Sequence, residues 1–181
     1  MPNWCENKVT ISSEDENLIK QIGKELKEDF SEVVNGKTVT GTVLFSFQKL
    51  LPMPEEIRNT NSPNHIVATE KEAAAYNEEH KGEIFFRPAQ TQAQVDAIQE
   101  KYGVTNWYDW AVKNWGTKWD LNADSVHVVL EDELIYTFNT AWGPPVGIYH
   151  ALVAKYPEAH ISWFYNEPGM EFAGYLNKEE A

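Results

Sequence analysis

Across residues 8–12 the apolar Val9 and Ile11 alternate with polar neighbours, the period of a half-buried β-strand. Ser13 follows with Glu16 three positions on, which has the form of a capping box. Leu18, Ile19, Ile22, Leu26 and Phe30 then recur at helical spacing, so the pattern predicts a helix to about Glu32. Asn35-Gly36 breaks that pattern, and residues 39–47, rich in β-branched and aromatic side chains, read as a second strand. The opening of the chain is therefore predicted as β-α-β with a helical crossover.

Pro52 and Pro54 end this region, because each lacks a backbone donor and restrains the residue before it. Residues 55–105 turn polar and rich in Glu, Ala and Gln, with helices predicted near 69–79 and 91–101. Another helix opens at Asn106, which can cap it, and Gly116 can end it. Residues 126–130 and 134–138 read as a hairpin turning at Glu131-Asp132-Glu133. Pro145 suits the first position of a helix with Val146, Tyr149, Leu152 and Val153 on one face. Residues 160–165 and 170–176 supply the last two strands. Without its insertion the order is a split βαβ unit with extra strands, an α+β, ferredoxin-like antiparallel sheet. We expect one domain over residues 1–181: 1–48 and 117–178 give the sheet and its helices, and 49–116 a helical insertion.

Composition narrows the functional classes. The chain has 181 residues and no apolar run of membrane-spanning length, so no membrane partner is expected. Its start has neither a basic nor an apolar leader segment, and its one cysteine, Cys5, precludes an internal disulfide; both fit a cytoplasmic protein. The net charge is −13, shared as −7 over residues 1–100 and −6 over 101–181. Such a field opposes duplex nucleic acid, whose phosphates need cations, and attracts a basic partner. It also serves simply to keep a protein soluble.

Aromatic residues are concentrated in the second half, where 16 of the 23 lie, including six of the seven tryptophans. On the helix after Asn106, Trp107, Trp110 and Ala111 share one face, and Tyr108, Val112 and Trp115 another. Two aromatic faces must both be buried, or one is left to meet a partner. Here the motifs become specific. Met1-Pro2-Asn3-Trp4-Cys5, Leu51-Pro52-Met53-Pro54, Asn106-Trp107-Tyr108-Asp109-Trp110, Asn114-Trp115-Gly116-Thr117-Lys118-Trp119 and Thr140-Ala141-Trp142-Gly143-Pro144-Pro145 together resemble the YubB ferredoxin-like domain family. Tyr165-Asn166-Glu167-Pro168-Gly169 and Phe172-Ala173-Gly174 extend the likeness towards the C-terminus. The resemblance implies an origin in phages, plasmids or integrated elements and a ferredoxin-like C-terminal part. It brings no activity and no catalytic residue.

Catalytic motifs are sparse. His65, His80, His127, His150 and His160 form no pair at helical metal-ligand spacing, so no metal site is expected. No Gly-rich phosphate loop and no nucleophile elbow occurs, and one cysteine cannot hold an iron–sulfur cluster, so no cofactor is expected. Glu167 and Glu171 flank a Pro-Gly turn, where solvated carboxylates are ordinary. Lys118, between Trp115 and Trp119, could join Trp107, Trp110 and Trp142 in a pocket where a base stacks and a phosphate meets the ammonium. The alternative is an outward Lys118 beside structural tryptophans. These readings favour a non-enzymatic accessory binding protein of a phage or other mobile element, acting in the host cytoplasm, with counter-defence as one role. Its partner is a host protein or a small nucleotide-like ligand. Two other classes are an acidic nucleic-acid mimic and an enzyme with a dispersed Glu/His site.

Overall fold

A computed structural model describes residues 3–34, 37–82, 86–130 and 133–177. In chain order its elements begin with β1 (Trp4–Ser12), α1 (Glu16–Glu25), β2 (Glu28–Val34), β3 (Lys37–Val43) and α2 (Phe47–Leu50). Then come α3 (Glu55–Arg58), β4 (Ile66–Val67), α4 (Glu70–Glu79), β5 (Gln90–Thr91), α5 (Gln92–Tyr102) and α6 (Trp107–Asn114). A 3-10 turn (Ala123–Ser125), β6 (His127–Leu130), β7 (Glu133–Ala141), α7 (Val146–Lys155), β8 (His160–Glu167) and β9 (Phe172–Tyr175) complete it. Two compact units result, one of Met1–Pro52 with Asn114–Ala181 and one of Met53–Lys113.

The first unit is built on a five-stranded antiparallel sheet in the order β6-β7-β1-β8-β9. Take β1, β6, β7 and β8 as the four strands of a split βαβ unit, with α1 after the first and α7 after the third. Their spatial order is then that of a ferredoxin-like fold, and the fourth strand carries β9 as an addition. The period-2 pattern of β1 is carried through: Cys5, Asn7, Val9 and Ile11 are buried, and Trp4, Glu6 and Lys8 face solvent. On the buried face Val9 lies opposite both Tyr136 and Trp163. Phe45 fills the space above them, its ring 4.9 Å from Tyr136, 5.4 Å from Phe138 and 5.9 Å from Trp163. Helix α1 approaches the same face closely enough that a Cβ on Gly23 would touch Leu134 at 3.4 Å. Helix α7 follows suit through Tyr149, 6.1 Å from Trp163 ring to ring. The opposite face is open, with Glu6, Lys8, Thr137, Asn139 and Tyr175 exposed.

The structure departs from the sequence reading at the first crossover. Helix α1 ends at Glu25, and residues 28–34 pair with 37–43 in a separate two-stranded sheet. Phe30 is therefore a strand residue, and its ring covers Gly41, its cross-strand partner, where a Cβ would come within 2.7 Å of it. Its i,i+4 spacing from Leu26 is coincidental, since residues 28–34 are extended and pair with 37–43. The helix is capped by Asp15 rather than Ser13: Asp15 accepts from Asn17 N–H at 2.9 Å, and Ser13 Oγ accepts from Asp15 N–H at 3.1 Å. The turns read at Asn35-Gly36 and at Glu131-Asp132 lie outside the described residues.

The second unit is helical, with one two-residue parallel pairing of β4 and β5. Helices α4 and α5 both start with complete capping boxes, Thr69 with Glu72 and Thr91 with Gln94. Asn106 opens α6 as its sequence implies, accepting from Asp109 N–H at 3.0 Å while its amide donates to the Asp109 carboxylate at 2.8 Å. Among the described residues no helix is long and apolar enough to cross a membrane.

Candidate functional site

The motif glycines are explained by two backbones in direct contact. Gly116 has φ +87°, and a Cβ there would sit 2.9 Å from the Val146 nitrogen. A Cβ on Gly147 would lie 1.7 Å from the Asn114 carbonyl oxygen. Residues 114–117 thus lie against the start of α7 with no side chain between them. Thr117 completes the join: its fully buried hydroxyl donates to the Ala141 carbonyl at 3.2 Å and accepts from the Ala141 N–H at 3.1 Å. Trp115 is buried beside them, donating its indole N–H to the Leu51 carbonyl at 2.8 Å, with its ring 5.9 Å from Phe47.

That join aims the next residues outward. Asp120 turns its carboxylate inward onto the N-terminus of α2, accepting from Phe47 N–H at 2.8 Å, Gln48 N–H at 3.0 Å and Leu121 N–H at 2.7 Å. Burial raises its pKa, and these three backbone donors oppose the rise. Trp119, on the preceding residue, is left 41% exposed, and it meets Trp4, 49% exposed, with ring centroids 6.3 Å apart and planes tilted by 32°. The Lys118 ammonium lies 4.3 Å from the Trp119 ring centroid, a cation–π contact.

Trp4 and Trp119 line an open cleft of about 990 Å³, shared with Glu6, Asn122, Asn139 and Glu167 among others. Behind its lining residue Thr140 lies a satisfied polar network on the buried face of the sheet. Asn7 donates to the Cys5 carbonyl at 2.9 Å and to Thr140 Oγ1 at 2.8 Å, and accepts from the Trp163 indole N–H at 3.0 Å. Thr140 donates in turn to the Gly143 carbonyl at 2.7 Å. This bond and a 2.8 Å bond from Trp142 N–H to the Asn3 carbonyl hold Trp142 at φ +69°, a conformation bulky residues rarely adopt. Glu167 is buried with its carboxylate spent on the Gly169 and Met170 N–H groups. Glu6 is exposed, and its carboxylate accepts from the Asn166 amide at 3.1 Å. Burial pushes the Cys5 thiol up to about 11, and the charge of Glu167 adds to it, so the thiol stays protonated at neutral pH.

The residues expected to share one pocket are distributed over both units. Trp107 and Trp110 belong to the second: Trp110 is buried, and Trp107 is half-buried, edge-on to Tyr108 at 6.0 Å, its backbone N–H donating to Thr60 Oγ1 at 2.8 Å. Trp115, Lys118, Trp119 and Trp142 belong to the first. Of these Trp119 lines the cleft, Trp115 is core, Lys118 stacks on Trp119, and Trp142 follows Ala141, the register partner of Trp4. Trp4 and Glu6 are the site residues that the reading of spacing missed. Extending the alternation of β1 back from Lys8 puts both on the polar face, which marks Trp4 as exposed. The Nε2 of His150 is buried without a hydrogen-bond partner, and among the described residues no group of three His, Cys, Asp or Glu could hold a metal.

Strand order, antiparallel pairing and the positions of α1 and α7 make the first unit a ferredoxin-like α+β structure. Residues 114–180, which contain β6, β7, α7, β8 and β9 with the Trp119 and Asp120 anchors, match the family model of the ferredoxin-like domain in Api92-like protein. No curated protein and no solved structure matches the chain.

Proposed function

We propose that this chain is a non-enzymatic binding protein that meets its partner through the Trp4–Trp119 cleft. The observation that carries the reading is the pair of large rings held side by side in solvent by a network whose own polar groups are satisfied. Wide aromatic surface placed rigidly beside polar side chains provides binding area at small entropic cost. The same network argues against catalysis at the cleft: Cys5 is protonated, and Glu167 and Asp120 are engaged with backbone donors. The motif resemblance supports the rest of the proposal, that the protein is borne by a phage or other mobile element and acts on a host component, with counter-defence as one such role.

The test compares the native protein with a Trp4→Ala/Trp119→Ala double variant, both recovered from host cells and weighed by native mass spectrometry. We expect the native protein to retain a partner that the double variant loses, with thermal midpoints within a few degrees of each other. A complex unchanged by the double substitution overturns the cleft reading. If that complex instead dissolves as salt is raised, the acidic surface as a whole is the binding element and the nucleic-acid mimic takes its place.

A further inference from the structure

Resting on the cleft as the binding site, we infer that its occupant is a basic segment of a partner protein, seated by a lysine or arginine head group, and not a nucleotide. Among the described residues, the charged ones lining the cleft are Glu6, Asp120 and Glu167, and no Lys, Arg or His lines it. A phosphate placed there would meet the exposed Glu6 carboxylate, with Asp120 and Glu167 behind it, whereas a cation would meet an attractive field. The rings favour the same charge. The negative faces of indoles attract cations within about 6 Å of the centroid, and Trp119 already receives the Lys118 ammonium at 4.3 Å. With the two centroids 6.3 Å apart, one cation at the mouth of the cleft reaches both rings.

Glu6 supplies the counter-charge. It stands two residues from Trp4 on the same face of β1, a separation of roughly 7 Å along a strand, and Asn166 orients its carboxylate. This lies within the span of an arginine or lysine side chain whose head sits between the rings. Glu6 is flanked in register by Asn139 and Asn166 on the open sheet face, so amide donors and acceptors continue beyond the cleft. A volume of about 990 Å³ far exceeds one side chain and suits several residues of extended chain. The net charge of −13 steers such a segment at long range, while the rings and Glu6 fix where it binds.

The experiment is a calorimetric and tryptophan-fluorescence titration in 150 mM salt with a capped hexa-arginine peptide, a capped Gly-Ser peptide, spermidine and AMP. Native protein, the Trp4→Ala/Trp119→Ala variant and Glu6→Gln are compared. We expect saturable binding of hexa-arginine alone, weakened about tenfold or more by loss of the rings and several-fold by Glu6→Gln. Equal binding of hexa-arginine to the double variant overturns the inference, because it would report only diffuse charge attraction. Spermidine binding as tightly as the peptide overturns the protein partner in favour of a small polycation. AMP binding lost on Lys118→Ala overturns it in favour of the nucleotide. A native complex that needs the rings, in a protein that ignores hexa-arginine, overturns the cationic occupant and leaves the cleft as the site; a complex indifferent to the rings overturns both.

Discussion

Tryptophans identical in composition do opposite work in this chain, and the neighbours of each ring decide which. Trp115 and Trp163 are buried with their indole N–H groups paired, to the Leu51 carbonyl and to Asn7 Oδ1. Trp119 stands in solvent against Trp4 and Lys118. Trp115→Ala would leave a void beside Phe47 and orphan a carbonyl, a loss expected to be about 3–5 kcal/mol. Trp119→Ala removes surface contacts only and should cost less than about 1 kcal/mol. Urea unfolding of the two variants measures both. Equal losses would make Trp119 a structural residue and remove the basis of the binding site. The sequence made the tryptophans conspicuous without sorting them, because spacing along a helix or loop says which side chains share a direction and not what lies in that direction. Only the alternation of β1 carried the needed information, at Trp4.

At the scale of elements, the cleft depends on a side chain from one segment capping another. Helix α2 has four residues, too few to be stable by their own hydrogen bonds. Asp120 stabilises its start by taking two of its amide protons while fixing its own N-terminal neighbour Trp119. Asp120→Ala leaves three backbone N–H groups without that acceptor and is expected to destabilise the protein by about 2–4 kcal/mol, with weaker partner binding as Trp119 loses its anchor. Asp120→Asn keeps one acceptor and should fall between. Because burial raises the Asp120 pKa, the stability this group contributes in its protonated form is complete below its unfolded value and lost as pH rises through the folded one. A deficit of Asp120→Asn that grows in more acidic solution, in denaturant melts from pH 7 to 4, is the check. Such a long-range cap is invisible in sequence, as its partners lie over 70 positions apart. Local signals did better: the helices near 69–79 and 91–101, the Asn106 cap of α6, the proline before α7 and the strands at 134–138 and 160–165 were all legible. The helix misread across Phe30 marks the boundary, since an i,i+4 apolar pair and a strand pair share some spacings, and tertiary pairing with residues 37–43 decides between them.

For the molecule as a whole, 28 acidic residues against 15 basic ones mean that folding brings like charges together. The ion pairs found among the described residues, Lys20–Glu16, Lys81–Glu78, Lys101–Glu56 and Lys155–Glu25, are exposed or half-exposed, and such pairs contribute little. Repulsion should therefore outweigh attraction at pH 7. Added salt shortens the screening length from about 10 Å at 0.1 M to about 3 Å at 1 M, which relieves repulsion over the distances that separate surface carboxylates. Relief of roughly 1–2 kcal/mol would raise the thermal midpoint by about 2–8 °C for a chain of this size. The rise should fade near pH 4.7, where the net charge approaches zero. Calorimetric scans in sodium chloride from 20 to 500 mM at both pH values test it. A midpoint that falls with salt at pH 7 would mean that local pairs dominate the energetics. The −13 charge would then be balanced site by site, and the long-range field held to steer a basic partner towards Trp4 and Trp119 would be weaker than the count of charges implies.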